Sequence, residues 1–485
     1  MNHSVRLFGL LKVFSLCAAL TLAGCTGSSI HVTSVVLNTT ELDLRVGESE
    51  HLIATVIPSK ATNKGLIWTT SHSGIAVVDD GVVTGIKEGE ATISVVTDDG
   101  AKTATCKVNV ISGSGEEGNE GNGDEDEDDT RPYVDLSSAG TANCYIVKES
   151  GRFKFRATKG NSLKSIGAVA STEVLWESFG TAEAPSAGDL IKRTSYSDQY
   201  VRFTVADTFK EGNAVIAAKD SDGTILWSWH IWLVEDEIKS STYVNNAGVL
   251  MDRDLGATSA TPGANSSIGL LYQWGRKDPF LGTSEPDLDD GISDPAASTI
   301  DWPEYVISDS TCGTVEYATE HPTTFIVYGD QTYIKEEDNV ELFTYDWLYI
   351  GNNTDYNLWN SDKTIYDPCP AGWKVAELSV WEDIGLPLDW SEEHDLFDES
   401  LGGMILGSDY CSPDAWYPAS GYVYWDEDHC PEPIIEEAGT IGACWSSTRD
   451  GKWDDAYGLF FWARKMMDGS WDNYSANSIR CQKIQ

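Results

Sequence analysis

The residues best suited to chemistry lie in the last quarter of the chain. Trp416, Trp425, Trp453 and Trp471 are interleaved with Asp426, Asp428, Asp454, Asp455, Asp472 and Asn473. An indole can stack on the apolar face of a sugar, while Asp and Asn can hold hydroxyls or bridge to them through calcium. The competing role for each Trp is in the core, where aromatic side chains usually sit. No catalytic constellation accompanies them. The chain has no Gly-rich phosphate loop, no HExxH and no GxSxG. Its acids are too many for a glycosidase carboxylate pair to be singled out.

Charge narrows the partners. Asp plus Glu number 77 against 33 Lys plus Arg, a net charge of −44. That argues against nucleic acid, which needs a basic footprint, and against anionic membrane surfaces. Ten Cys are present without a CxxC pair, which argues against zinc. No cofactor is implied. Calcium is the cation that the Asp and Asn set would take.

The fold class that must position these residues is mainly β. Hydrophobic residues make up 41% of 485 residues, with 44 Gly, 18 Trp and 5 Met, enough for real cores and rich in β-favouring types. Length alone suggests roughly three domains. Residues 1–24 read as an export signal: Arg6 and Lys12, then an uncharged run of 12 residues at 13–24, too short to span a bilayer. Residues 25–31 follow as a tether. Residues 32–111 hold short alternating runs with tight-turn signals at Asp80-Gly81 and Asp99-Gly100, which predict a β-sandwich with Trp68 in its core and Cys106 as a buried thiol. Residues 112–132 read as a disordered acidic linker, since nine acids and no base lie between 116 and 129. Calcium is the alternative use of those acids, but they lack the ligand spacing and turn Gly of a calcium loop.

Residues 133–236 predict a second β-sandwich. RFKFR at 152–156 and YVRFTV at 200–205 alternate with period two. DSDG at 220–223 reads as a hairpin turn. Trp227 and Trp229 share one face of a strand and Trp232 the other; core packing or contact with the next module is favoured over ligand binding. Residues 237–485 hold 13 of the 18 Trp, 16 of the 20 Tyr and six of the ten Cys. Their best helix candidate is 377–384.

Resemblances sharpen this reading. LAGC at 22–25 resembles a bacterial lipobox, which implies that Cys25 is lipidated and becomes the mature N-terminus; a plain secretory peptide is the alternative. VGE at 46–48, IWTTS at 67–71, GVVTG at 81–85 and GEATI at 89–93 resemble the bacterial Ig-like group 2 (BIG2) domain. ANCYIV at 142–147 and LWSWHIW at 226–232 resemble a β module found upstream of the next domain in Bacteroidetes surface proteins. MDRDLGA at 251–257, YQWGR at 272–276, YDPCPAGW at 366–373, YPASG at 417–421, CWSST at 444–448 and SIRC at 478–481 resemble the Fibrobacter succinogenes major paralogous domain. That family implies an α+β C-type-lectin-like fold, with residues 280–365 as an insertion. The lectin-like fold in turn implies a Cys369–Cys481 disulfide, with Cys411 paired to Cys430 or Cys444 as a further guess. Trp471-Asp472-Asn473 resembles the calcium-ligating Trp-Asn-Asp of sugar-binding lectins, in a different order. The same fold includes formylglycine-generating oxidases, whose catalytic Cys pattern is missing here.

These readings converge on a non-enzymatic lipoprotein, anchored to the bacterial outer membrane by its N-terminal lipid and displayed at the cell surface. It would use a stalked lectin-like module for adhesion or for recognising a glycan or protein. A structural subunit of a surface fibre is the alternative, and a polysaccharide-acting enzyme ranks lowest.

Overall fold

The computed structural model describes residues 30–45, 49–79, 81–111, 131–288, 291–302, 304–329, 332–335, 340–343, 345–349, 358–389, 393–427, 429–449 and 456–484. Cys25 and the acidic run 116–129 lie outside the described residues, as do Asp428, Trp453, Asp454 and Asp455. The chain is mainly β and falls into two compact units, one up to residue 115 and one from residue 116.

The first unit is a small sandwich. One sheet runs in the order Glu41–Arg45, Thr103–Ile111, Gly89–Thr97, Leu66–Thr70. A second joins Ser49–His51, Val82–Gly85 and Ala76–Asp79. Alternation turns Ala91, Ile93 and Val95 inward, where Ile93 meets Leu44, Val83, Val108 and the buried thiol of Cys106. Trp68 packs, partly buried, against both apolar clusters of the unit. The turn signals act as expected: Gly81 and Gly100 have φ of 86° and 76°, a region that disfavours side chains bearing a Cβ.

The second unit begins with a sandwich of two four-stranded sheets. One orders Val134–Asp135, Arg152–Arg156, Tyr200–Val205, Ile191–Ser197; the other orders Cys144–Val147, Ile225–Leu233, Gly212–Lys219, Ser171–Ser178. Phe155 stacks on Tyr145 at 4.4 Å and meets Trp229 at 5.0 Å between them. The hairpin at 220–223 is held by Asp220 Oδ1, which accepts from the backbone N–H of Asp222 and of Thr224, both at 2.9 Å.

Strand Ile225–Leu233 explains why this sandwich is not a separate body. Trp227, Trp229, Ile231 and Leu233 face the sandwich core. Trp232 faces the opposite way and joins Trp176 and Val215 in one core with Met251, Trp274 and Trp445 of the C-terminal part. A sheet buried on both faces reads as a near-continuous apolar run, as LWSWHIWL does. Polar contacts cross the same boundary. Asn143 Nδ2 donates to the carbonyls of Ile365 and Asp367 at 2.7 and 2.9 Å. Lys277 Nζ meets Asp278 Oδ1 at 2.8 Å under Ser228, all fully buried. Residues 133–236 and 237–485 therefore share a core.

His230 sits on that shared face. Asn213 Nδ2 donates to the Gly256 carbonyl, so Asn213 Oδ1 accepts, and His230 Nε2 donates to it at 2.9 Å. Burial pulls the imidazole pKa from 6.5 down to about 3. Below about pH 6.5 the unfolded chain takes up a proton that the folded chain refuses until about pH 3. Stability is expected to fall as pH drops through that window, by about 1.4 kcal/mol per pH unit from this residue. Urea midpoints across the window should show a shallower acid-side loss in His230→Gln. An identical slope in both proteins would contradict this.

The C-terminal part holds a five-stranded sheet, Trp373–Val375, Cys481–Lys483, Gly248–Met251, Ser240–Tyr243, Cys411–Ser412. It sets the last strand of the region, Cys481–Lys483, between Trp373–Val375 and Gly248–Met251. A larger sheet orders Ile292–Ser293, Cys430–Ala438, Ser420–Asp426, Ala476–Ile479, Ile441–Arg449, Ala456–Trp462 and Lys465–Trp471, with Tyr272–Gln273 on Ala476–Ile479. The expected helix at 377–384 is a single turn, Ser379–Glu382. No described helix is long and apolar enough to cross a membrane.

Cys369 and Cys481 are joined across a sequence separation of 112. Cys411, Cys430 and Cys444 are free thiols, so neither guessed pairing of Cys411 forms. Cys411 and Cys444 are instead fully buried within one apolar cluster. The stretch 280–365, read as an insertion, contributes to the core. Phe325, Ile326, Val327, Trp347 and Trp359 from it are built into the main core.

Candidate functional site

The motif residues of the C-terminal part are structural. Arg480 is wholly buried: Nε donates to Asp254 Oδ1 at 2.7 Å, an Nη donates to the Trp416 carbonyl at 2.8 Å, and the guanidinium lies 4.0 Å from the Tyr417 ring centre. Trp274 Nε1 donates to the Ser446 carbonyl, and Trp445 Nε1 to that of Tyr272. Asp367 takes the Nζ of Lys363 and the backbone N–H of Cys369 and Val375. The bonds of Arg480, Trp274 and Trp445 tie one motif to another segment, so these buried side chains serve to close the fold.

Two of the tryptophans proposed as stacking platforms are corrected by burial. Trp416 is 5% exposed and its Nε1 donates to Ser267 Oγ at 3.0 Å. Trp425 is 3% exposed and donates to the Pro431 carbonyl at 3.1 Å. Neither ring has an open face. Trp471 ends the strand Lys465–Trp471.

Trp425 nevertheless borders an aromatic cluster to which Asp426 and Asp472 are near. Strand Ser420–Asp426 finishes where Ala476–Ile479 begins, with Val423 opposite Ala476. Tyr328 is the hub: its ring centre lies 4.8 Å from Tyr345, 4.9 Å from Trp425 and 4.8 Å from Tyr474, all edge to face. Tyr474 Oη donates to the Trp425 carbonyl at 3.1 Å. Tyr345 is 44% exposed, so one aromatic ring of the cluster is open to solvent.

Two carboxylates surround the hub. Asp426 Oδ1 accepts from the His429 backbone N–H at 2.9 Å and contacts its Nδ1 at 2.8 Å. Burial pushes the Tyr328 phenol up to about 12, and Asp426, Tyr345, Tyr424 and Asp472 add to the shift. Tyr328 therefore stays protonated at neutral pH, as a hydrogen-bond donor under a negative field. The surface can stack an aromatic ring on an apolar sugar face and exchange hydrogen bonds with hydroxyls. It repels anions.

The Asp472–Asn473 pair lies partly inside the wall. Asn473 is 1% exposed and its Nδ2 donates to Asp346 Oδ2 at 2.9 Å, inside the wall, while Asp472 is half-buried. Calcium takes six to eight oxygens. Among the described residues no three His, Cys, Asp or Glu side chains converge as a metal site. Sequence reasoning missed Tyr328, Tyr345, Asp346 and Tyr474. The first three lie in 280–365, where no motif match directs attention, far in sequence from the strands they join.

Residues 31–108 match the bacterial Ig-like domain (group 2) family, so the first unit carries an Ig-like domain. Relatives share segments of similar length. An uncharacterized protein of Clostridium acetobutylicum is 40% identical over 81 residues, 16% of this chain and 20% of that one. The kappa-carrageenase of Pseudoalteromonas carrageenovora is 40% identical over 74 residues, 15% of this chain and 19% of the enzyme. The Ig-like virion protein of Serratia phage KSP90 is 38% identical over 87 residues, 18% and 34% of the two chains. The chain thus spans only a fifth to a third of these relatives. Among solved structures, domains 5–6 of the S-layer protein SbsC align with a TM-score of 0.17 at 14% identity, over 42% of this chain and 99% of that one. The Bacteroides ovatus mixed-linkage glucan utilization locus SGBP-B, in complex with a mixed-linkage heptasaccharide, aligns with a TM-score of 0.12 at 16% identity, over 41% and 42%. Likeness at these scores carries no functional argument.

Proposed function

We propose that this chain is a bacterial envelope lipoprotein that recognises a surface glycan or protein ligand in adhesion. Cys25 would hold it to the outer membrane, and the Ig-like unit and acidic run would carry the recognition part outward at the cell surface. The part from residue 237 is read as a lectin-like domain of the Fibrobacter major paralogous type, and its role as binding rather than catalysis. The observation that carries the reading is the end of the large sheet. There an exposed Tyr345 stands over a tyrosine hub with Asp426 and Asp472 beside it, a combination suited to neutral, hydroxyl-rich ligands.

A glycan array probed with the full chain, in calcium and again in EDTA, tests this. The full chain is needed because residues 133–236 and 237–485 share a core. Neutral-glycan binding that survives EDTA is expected, since the Asn473 side chain is buried beneath the surface. Binding abolished by EDTA would overturn the metal-free account of the site. No neutral-glycan binding, together with concentration-dependent polymers, would replace recognition by a fibre-subunit role.

A further inference from the structure

The chain enters the first unit at one end, where residues 30–33, 57–67 and 97–102 are tied together. The Ile30 N–H donates to Thr62 Oγ1 and the Thr62 N–H to the Ile30 carbonyl, both at 2.9 Å. The Thr33 N–H donates to the Ile57 carbonyl at 2.8 Å, and the Asp98 N–H to that of Gly65 at 2.9 Å. Ile67 lies opposite Val96 in the sheet. The opposite end holds residues 71–75 and 86–89, where the Ile86 N–H donates to the Ile75 carbonyl at 2.7 Å. Strand Gly89–Thr97 runs from that end to the first, a length of roughly 27 Å.

Aliphatic side chains are exposed where the chain enters. Ile30, Ile57 and Ile67 are 42%, 41% and 55% exposed. Alternation sends their neighbours Val56 and Leu66 into the core, so Ile57 and Ile67 face outward. The solvent side of a strand in such a sheet ordinarily carries polar residues. This end also lacks the acidic surplus of the whole chain. Its segments hold three lysines, Lys60, Lys64 and Lys102, and two aspartates, Asp98 and Asp99, whereas acids outnumber bases by 77 to 33 overall. Asp99 is held by His31 Nδ1 at 3.0 Å and by the Val32 N–H at 2.9 Å. Lys60 and Lys64 are exposed beside the isoleucines.

The length of chain upstream decides what covers this end. Ile30 follows Cys25 by five residues, a reach of at most about 18 Å at full extension. An acylated Cys25 holds this end of the unit at the bilayer surface. A tether that short makes the second contact intramolecular, with an effective concentration on the order of millimolar, so a weak apolar contact suffices.

We propose that this end of the Ig-like unit, through Ile30, Ile57 and Ile67 with Lys60 and Lys64 beside them, rests in the headgroup layer of the membrane that holds Cys25. The contact rests on the lipoprotein reading and adds to it a seat that fixes the base of the stalk. Isoleucines enter the boundary between headgroups and acyl chains, while lysine stems follow them and leave their ammonium groups among the phosphates. The net charge of −44 does not oppose this, because charges beyond a Debye length of about 8–10 Å are screened. The acidic run at 116–129 follows strand Thr103–Ile111, which leads back to the opposite end.

The test uses the full chain purified with its lipid and placed on vesicles of phosphatidylethanolamine and phosphatidylglycerol, beside the Cys25→Ala chain with the same vesicles. Mass spectrometry of the N-terminal peptide comes first. An unmodified Cys25 overturns the anchor and this contact with it. With the acyl groups present, hydroxyl-radical footprinting is expected to show Ile30, Ile57 and Ile67 oxidised about twofold or more slowly than in Cys25→Ala, as side chains that leave water for the headgroup layer. Ile86, at the opposite end, should be oxidised equally in both. Ile57→Asp with Ile67→Asp should leave the chain on the vesicles and return Ile30 to the faster oxidation. Ile57→Ser with Ile67→Ser should do so less completely, and a circular-dichroism melt checks that both variants fold. Three results on the acylated chain overturn the contact while leaving the anchor intact: isoleucines oxidised as fast as in Cys25→Ala, Ile86 slowed as much as they are, or protection of Ile30 indifferent to both pairs of substitutions.

Discussion

Replacing Arg480 by Met is expected to lower folding stability by about 3–5 kcal/mol, the range for breaking a buried ion pair. The size follows from what is left behind. Arg480 and Asp254 are 0% and 2% exposed at the side chain, so Met would strand a carboxylate with no route to water. Burial already pushes the Asp254 carboxyl up, and Arg480, with a smaller part from Ser478, opposes that shift. The substitution also removes the donor to the Trp416 carbonyl and the cation over Tyr417. Arg480→Lys should recover only part of the loss, because an ammonium cannot reproduce the fork that spans Asp254 and Trp416. Arg480→Met combined with Asp254→Leu should recover more, since it removes the stranded charge. Urea denaturation of the three variants decides the matter. If the double variant is the least stable of the three, packing rather than charge dominates at this position.

Loss of the Cys369–Cys481 bond should be nearly as large. The bond closes a loop across 112 residues. Constraining an unfolded loop of that order contributes on the order of 4.7 kcal/mol in the chain-entropy picture, and removing native disulfides costs about 2–5 kcal/mol in practice. The strands at the junction are already paired, Val375 opposite Cys481 and Leu250 opposite Gln482. Cys369→Ser with Cys481→Ser should therefore keep the fold while lowering the urea midpoint. Dithiothreitol should lower the wild-type midpoint towards that of the variant. A wild-type midpoint indifferent to reductant would show that the bond contributes nothing.

Both predictions concern residues whose motifs stand out in the sequence, and that visibility misleads about function. Arg480, Asp254, Trp274 and Trp445 catch attention because they fall in stretches that resemble a family pattern, and the structure places all four in the interior. Trp416 and Trp425 attract notice as potential sugar platforms because residue type shows what a side chain can do but not whether its faces are covered. Local order was legible where it depended on alternation. Trp227 and Trp229 against Trp232, and the outward cations of RFKFR, follow from period two alone. The turns at Gly81, Gly100 and 220–223 follow from backbone chemistry.

Long-range assembly was not legible. Phe325, Trp347 and Trp359 belong to short segments with no periodicity to declare a buried face, and their partners lie far away in sequence. Tyr328 and Tyr345 reach Trp425 and Tyr474 only through tertiary packing. The fusion of residues 133–236 with the rest was half visible. A strand apolar on both faces announces a second burial surface, although it does not say which segment covers it.

The recognition account is tested most directly by titrating a neutral glycan selected on the array against the full chain and against Tyr345→Ala. Tyr345 contributes the exposed ring of the hub, and loss of one stacking aromatic is expected to weaken binding by on the order of tenfold. The melting curve should stay unchanged because the ring is not part of a core cluster. Equal affinity in the two proteins would contradict the account and place recognition away from this end of the sheet.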